Sequence, residues 1–208
     1  MTETETTKLL EAIIARLCHD LIGPVGAVHN GVELAEESET PAEAKEMIGM
    51  VKDSAIQAWG RLAFFRAAFG SGGGQDKWGG KDIQTLLNGA LETKRLSFDV
   101  SGELADPEFE LGLNHARLAF GLAMAAGESL PRGGLVTVIA GGDAENPTLA
   151  AVGEGERAEI RDEIETALAG GAPEPRSAHV HLLLVRARAV GRTIEAEAEG
   201  DRTTWKAV

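Results

Sequence analysis

The chain has 208 residues, of which 43% are apolar and 25% charged, and its formal net charge at pH 7 is -13. This length allows one or two hydrophobic cores without disulfides or a structural metal, and the acidic balance argues against nucleic acid and anionic membranes as partners. The single cysteine, Cys18, excludes an internal disulfide and fits a reducing compartment. The chain has no apolar run of membrane-spanning length and no signal-peptide pattern in MTETETTK, so we expect a cytoplasmic protein.

Two long helices are predicted in the N-terminal third. Apolar residues recur every three or four positions over 8–37, which is typical of an amphipathic helix. The string TPAE at 40–43 supplies a capping threonine, a first-turn proline and a capping-box glutamate for a second helix that ends before Gly70. The short turn predicts an antiparallel hairpin over 1–70. Its apolar seam is too wide for two helices to cover, so we expect a homodimer in which two hairpins form a four-helix bundle.

The glycine-rich residues 71–80 are predicted to be a linker, and residues 81–208 a second domain. The alternation of helical and mainly antiparallel strand patterns there indicates an α/β sandwich, and the whole chain is assigned to the α+β class. The predicted helices are 82–95, 114–128, 157–169 and 177–190, and the predicted strands are 96–100, 135–140, 148–152, 193–199 and 203–208.

The first helix has a nearly bare face around His19. Positions four, seven and eleven residues further along share this face, and they hold Gly23, Gly26 and Asn30, with Arg16 at the border. Each glycine costs ~1 kcal/mol in a helix relative to alanine, which suggests that another molecule must approach closely. His19 is two positions from leucines of the apolar stripe on either side, so it is expected to face solvent. The alternative is a surface histidine without a role.

Two other chemistries, a nucleophilic triad and a metal site, do not fit the sequence. A nucleophilic triad of Cys18, His19 and Asp20 fails because successive helix residues point about 100° apart, and Cys18 is expected to be a small buried side chain. His179 and His181 have strand-like metal-ligand spacing but lie in a segment predicted to be helical, without a further ligand cluster. We therefore expect no metal site on this chain.

The string HDLIGP at 19–24 resembles the phosphoacceptor box of histidine kinase dimerisation domains. The longer string CHDLIGPVGAVHNG, together with RLAFFRAAFG at the end of the second helix, is similar to the ChpT-type histidine phosphotransferases of alphaproteobacteria. The resemblance implies that the hairpin carries dimerisation and phosphotransfer. It also implies that the second domain descends from a histidine kinase ATPase domain.

The polar nucleotide contacts of such kinases are missing from this chain. By the resemblance, an asparagine-alanine pair is expected before the PRGG turn, where this sequence has Ala125 and Ala126. The aspartate that would accept from adenine is replaced by Ala151, and residues 156–176 predict an acidic helix and a proline-glycine turn in place of a glycine-rich lid. We therefore expect a degenerate ATPase fold that binds no ATP or other cofactor.

The resemblance implies a phosphotransferase that passes a phosphoryl group between receiver-domain aspartates through His19, without using ATP. Asp20 is expected to tune the histidine or, alternatively, to form a surface salt bridge. The expected partners are the receiver of a hybrid histidine kinase and response regulators, with magnesium bound by the receiver. The expected docking residues are Arg16, Gly23, Gly26 and Asn30. An ATP-dependent histidine kinase and a noncatalytic dimeric scaffold that binds receivers remain as alternatives.

Overall fold

The computed structural model describes residues 2–70 and 75–208. An N-terminal hairpin of two helices, α1 at Glu3–Glu36 and α2 at Pro41–Phe69, precedes a domain built on a β-sheet. The predicted α+β class is confirmed. The two hairpin helices pack against each other along their length, joined by a short loop.

Both hairpin helices begin with a capping box. The Glu43 amide donates to the Thr40 hydroxyl at 3.3 Å and the Thr40 amide donates to the Glu43 carboxylate at 3.1 Å, as the sequence predicts. Thr2 and Glu5 form an equivalent pair, with distances of 3.2 and 2.7 Å. Because this pair satisfies the first amides of α1, the helix begins at Glu3, earlier than the apolar pattern indicates.

The two helices run antiparallel and approach closely near the loop. Arg61 on α2 donates to the backbone carbonyl of Asp20 on α1, and further along Gly31 lies against Val51. A Cβ atom at Gly31 would lie 2.6 Å from Val51 Cγ2, so a larger residue there would force Val51 or the helices to shift.

The second domain contains four α-helices, seven strands and one short 3-10 helix among the described residues. In chain order these are β1 Lys77–Gly79, α3 Gly80–Leu91, β2 Leu96–Gly102, the 3-10 helix Glu103–Ala105, β3 Glu110–Gly112, α4 Leu113–Glu128, β4 Gly134–Gly141, β5 Thr148–Glu154, α5 Asp162–Leu168, α6 Ala178–Ala189, β6 Ile194–Glu199 and β7 Arg202–Ala207.

The main sheet has the strand order β2-β4-β5-β7-β6. Only β2 and β4 are parallel, and α4 lies between them in the chain as part of the crossover that a parallel pair needs. The other neighbours are antiparallel, with Ala151 opposite both Val138 and Trp205. Strands β1 and β3 form a separate two-stranded antiparallel sheet.

One face of the main sheet packs against helices α3, α4 and α6, and this layer contains the core. Val136 and Val138 on β4 and Ala151 on β5 are fully buried, while their neighbours along each strand are partly exposed or exposed. This alternation is typical of a sheet with one covered face. Trp205 of β7 is also buried, and its indole Nε1 donates to Ser129 Oγ at 3.2 Å.

The C-terminal half of α2 belongs to the same core. A Cβ atom at Gly60 would lie 1.8 Å from the Gly89 carbonyl oxygen, so α2 and α3 touch backbone to backbone at this point. Phe64 of α2 meets Phe120 of α4 edge to face, with ring centroids 5.8 Å apart. The hairpin therefore packs into the core of the sheet domain and is not joined to it by the covalent connection alone.

Several predicted segments of the second domain differ from the structure, including the helix predicted over 82–95, which ends at Leu91. Residues 71–74 of the predicted linker 71–80 lie outside the described residues, and 77–79 form strand β1, whose pairing with distant β3 leaves no local sequence pattern. The helix predicted over 157–169 begins at Asp162. Arg157 has a φ of 59° and its amide donates to Asp201 Oδ1 at 3.0 Å, so this segment is tied to the β6–β7 turn and cannot be helical.

Candidate functional site

The His19 side chain lies on the solvent side of α1, with 85% of its surface exposed. Its Nδ1 atom is 3.1 Å from Asp20 Oδ1, within hydrogen-bond distance. Because a carboxylate can only accept, a neutral imidazole in this contact carries its proton on Nδ1. The Nε2 atom then holds the lone pair, which makes it the nucleophilic nitrogen of the ring.

Cys18, which precedes this histidine, is exposed, so the expectation of a buried thiol is wrong. Small size and low polarity often place cysteine in a core, but here neither α2 nor the sheet domain covers its side of α1.

Asp20 is held in place through both its side chain and its backbone carbonyl. Its Oδ2 atom accepts from Arg16 Nε at 3.1 Å, while its Oδ1 atom faces His19. Its backbone carbonyl accepts from the Arg61 guanidinium of α2. The carboxylate is 22% exposed, so it lies at the edge of the protein surface and not free in solvent.

Arg16 is not available for docking, contrary to the sequence-based expectation. Its side chain is only 16% exposed, and its guanidinium bonds to Asp20, to Glu128 at the end of α4, and to the carbonyl of Arg176 at 3.2 Å. Burial alone would lower the pKa of Arg16, but the Glu128 and Asp20 carboxylates raise it above its ordinary value. Arg16 is therefore a permanently charged link between the hairpin and the sheet domain.

His179 of α6 completes this link from the other side. Its side chain is 1% exposed, and burial lowers its pKa to about 4, so the ring is neutral at pH 7. The Nδ1 atom lies 3.1 Å from Arg16 Nη1 and accepts from it, which puts the ring proton on Nε2. That Nε2 is 3.5 Å from Glu128 Oε2, too far for a strong hydrogen bond. Sequence reasoning missed Glu128 altogether and considered His179 only as a metal ligand.

The bare face beyond His19 is open in the structure. Gly23 and Asn30 are exposed and Gly26 is half-buried. A Cβ atom at either glycine would meet no atom within 4 Å, so packing within the chain does not require glycine at these positions. Ile22, next to Gly23, is also largely exposed. The arrangement allows another protein to approach the helix backbone beside the imidazole.

Residues 80–202 match the family model described as the histidine phosphotransferase C-terminal domain. The chain belongs to the histidine phosphotransferase family. Protein phosphotransferase ChpT of Brucella abortus (strain 2308) is 30% identical to it over 196 residues, which cover 90% of each chain. The prediction of a phosphotransferase in place of an ATP-dependent kinase is confirmed by this membership.

Solved structures extend the comparison. A bacterial phosphotransferase solved at 1.7 Å matches with a TM-score of 0.82 and 24% identity, over 100% of this chain and 98% of that chain, which shows a shared fold. The Acinetobacter baumannii histidine kinase AdeS matches with a TM-score of 0.44 and 12% identity, over 91% of this chain and 95% of that chain.

In this histidine phosphotransferase, the positions where the kinase resemblance expects nucleotide ligands are apolar and closed to solvent. Ala125 and Ala126 at the end of α4 and Ala151 on β5 are all buried in the hydrophobic core of the domain. Their side chains offer neither a metal ligand nor a hydrogen-bond acceptor for adenine.

Residues 2–70 and 75–208 contain no cluster of three or more histidine, cysteine or acidic side chains arranged to hold a metal ion. His179 and His181 lie on helix α6, in agreement with the helix predicted there. Within the same residues, no helix combines the length and the apolar character needed to cross a membrane.

Proposed function

We propose that His19 is the phosphoacceptor of this phosphotransferase, and that it passes a phosphoryl group from the aspartate of one receiver domain to that of another. The observation that carries the proposal is the exposed imidazole whose Nδ1 is occupied by Asp20. This contact leaves Nε2 both nucleophilic and accessible to a large partner.

The transfer needs no cofactor bound to this chain. Nε2 attacks the phosphorus of the donor phosphoaspartate, an N–P bond forms as the P–O bond breaks, and the carboxylate leaves. The His19 ring keeps its Nδ1 proton and gains positive charge, which the Asp20 carboxylate offsets. In the return step the second receiver's aspartate attacks the phosphorus and the N–P bond breaks. The receiver supplies magnesium, so this chain needs no metal ligand of its own.

We also propose that the protein works as a homodimer whose two hairpins form a four-helix bundle. Large apolar side chains on α1 and α2 are exposed, although their spacing is that of a buried helix stripe. They include Leu10, Ile14, Val25 and Val32 on α1 and Ile48, Ile56, Trp59 and Leu62 on α2.

This dimer surface and the phosphoacceptor lie on different sides of α1. At 3.6 residues per turn, His19 is about 180° around the helix from Leu10 and about 140° from Ile14. A partner hairpin that covers the stripe therefore leaves the imidazole free. In this proposal the receiver rests on a surface formed by Gly23, Gly26 and Asn30, whereas Arg16 has no docking role.

We place this relay in the cytoplasm. Cys18 is exposed and cannot pair with a second cysteine of this chain, which suits a reducing compartment.

The experiment that tests the proposal follows a labelled phosphoryl group from a prephosphorylated receiver onto the purified protein. His29 provides a matched control, because it is a second exposed histidine on α1, with Nδ1 3.5 Å from Glu33 Oε2. We expect label on the wild type and on His29→Gln, and none on His19→Gln. Incubation with labelled ATP alone should give no label.

Label on His19→Gln would refute the phosphoacceptor assignment. Label arriving from ATP alone would instead favour the histidine kinase alternative. Stable receiver binding without any transfer would favour a scaffold.

A further inference from the structure

We infer that Arg16 is a positioning residue, through which Glu128 and His179 of the sheet domain hold Asp20 against His19. The inference rests on the proposed function and assigns the sheet domain a part in it that needs no nucleotide. The geometry consists of three consecutive contacts that begin at the phosphoacceptor and end inside the second domain.

The first two contacts share one carboxylate. Asp20 Oδ1 lies 3.1 Å from His19 Nδ1, and Asp20 Oδ2 lies 3.1 Å from Arg16 Nε. Arg16 and Asp20 are four positions apart on α1, which places them on the same side of the helix. The guanidinium thereby fixes which way the carboxylate plane turns, and that orientation decides whether Oδ1 reaches the imidazole.

The third contact fixes the guanidinium itself. Arg16 Nη2 donates to Glu128 Oε1, and Nη1 lies within hydrogen-bond distance of His179 Nδ1 and of the Arg176 carbonyl. Three residues outside the hairpin therefore hold the planar guanidinium, and a lysine could not reproduce this geometry with a single ammonium group. His179 serves here as a neutral acceptor, so it adds no positive charge beside Arg16.

A second set of contacts joins the hairpin to the sheet domain at the C-terminal end of α2 and provides a comparison. Arg117 of α4 donates to the carbonyls of Ala67 and Gly70, and Arg186 of α6 donates to the carbonyl of Ala68. These arginines satisfy carbonyls at the C-terminal end of α2, which is a common way to stabilise a helix end. None of these three bonds involves Asp20 or His19, so they join the two parts without reaching the phosphoacceptor.

The test uses the full-length chain with Glu128→Gln, Arg16→Lys and the control Arg117→Lys. The first readout needs no donor: nitrogen NMR of the His19 ring reports which nitrogen carries the proton. The second readout is the rate of transfer from a prephosphorylated receiver. Within residues 2–70 and 75–208, Glu128 bonds to Arg16 and lies against His179 but touches neither His19 nor Asp20, so an effect of its substitution on the ring is not one of direct contact.

We expect the wild type and Arg117→Lys to have the proton on Nδ1 and to transfer at rates within about twofold of each other. Glu128→Gln and Arg16→Lys should shift the proton toward Nε2 and slow transfer about tenfold or more, as the loss of supporting partners does at other sites. Their circular dichroism spectra should match the wild type, which separates this effect from unfolding.

The inference is overturned if folded Glu128→Gln keeps both the wild-type ring proton position and the wild-type rate. It is also overturned if Arg117→Lys causes the same two changes, because the general attachment of the hairpin to the sheet domain would then explain the effects without Arg16. If the wild type itself accepts no phosphoryl group from any receiver, the proposed function fails and the inference fails with it. The first two outcomes leave the proposed function intact.

Discussion

The hairpin leaves large apolar side chains in solvent, whereas the sheet domain buries nearly all of its own. Trp59 of α2 is 70% exposed, while Trp205 of β7 is fully buried and hydrogen-bonded. Among the described residues outside the hairpin, only Leu135 and Val208 are large apolar side chains with substantial exposure.

The two parts therefore differ in how much of their apolar surface the chain itself covers. The sheet domain fills its core with its own side chains and those at the end of α2, so the fold needs no bound ligand to complete that core. The hairpin leaves two surfaces uncovered by the rest of the chain, an apolar stripe and the face around His19. Substitutions and acid should affect the two parts differently.

Removing a core ring should damage the sheet domain severely. Phe120 is fully buried and meets both Phe64 and Trp78 edge to face, at 5.8 and 5.2 Å. Phe120→Ala should lower the free energy of unfolding by about 3–5 kcal/mol. Chemical denaturation of the whole protein measures this loss. A change below about 1 kcal/mol would mean that the core does not join the two parts as described.

Acid should destabilise the junction between the two parts. The pKa of His179 is about 4 in the folded protein, below the ordinary 6.5 for histidine, because burial disfavours the charged ring. The unfolded chain therefore binds the proton first, and stability present above pH 6.5 is lost as the pH falls toward 4. This gap corresponds to about 3 kcal/mol.

Denaturation of the wild type and of His179→Gln across this pH range measures the contribution. The wild type should lose about 3 kcal/mol more than His179→Gln, and His29→Gln should follow the wild type because its imidazole is exposed. If the free energy of unfolding changed equally with pH in the wild type and His179→Gln, the His179 ring could not be a buried, neutral imidazole.

A charge on the apolar stripe should weaken the proposed dimer without harming the fold. Ile14 is exposed in the single chain and would be buried by a partner hairpin. Ile14→Glu should raise the dissociation constant by about 100-fold, or about 2.7 kcal/mol, because a carboxylate would be buried without a partner.

Sedimentation velocity at micromolar concentration measures this change. Leu135→Glu, an exposed apolar position outside the hairpin, should leave the dimer unaffected. A wild type that sediments as a monomer would contradict the dimer proposal directly.

Filling the bare face beside His19 should slow transfer while the protein stays folded. Gly23→Leu adds a side chain where a Cβ meets no atom of this chain, so the added bulk obstructs only an incoming receiver. We expect at least about a tenfold slower transfer, equivalent to about 1.4 kcal/mol. The matched control is Gly49→Leu on α2, which is equally unobstructed but remote from His19. Equal rates for both variants and the wild type would remove the proposed docking role of Gly23.

Local features of the sequence were sufficient to predict the hairpin and most of the longer elements of the sheet domain. Both helices of the hairpin, the capping box at Thr40, and the antiparallel pairing of β4 with β5 follow from apolar spacing and turn residues. The sequence also placed His19 on an exposed face, because a helix period and its flanking leucines determine where that side chain points.

Features that depend on distant parts of the chain were not predictable. Arg16 looked like a surface residue because Glu128 and His179, which hold it, are 112 and 163 positions away. The three-residue strands β1 and β3 are too short for a period-2 pattern and exist because they pair with each other. The loop at Arg157 has a helix-compatible composition, and only its bond to Asp201 shows why it is not helical.

The most direct test of the account locates the phosphoryl group on the protein after transfer from a receiver. Phosphoramidate-preserving peptide mass spectrometry identifies the modified residue, and phosphorus-nitrogen NMR of the intact protein identifies the ring atom. We predict a single phosphorylated position, Nε2 of His19, and its loss when a second receiver is added. A phosphoryl group on His29 or on Nδ1 of His19 would contradict it.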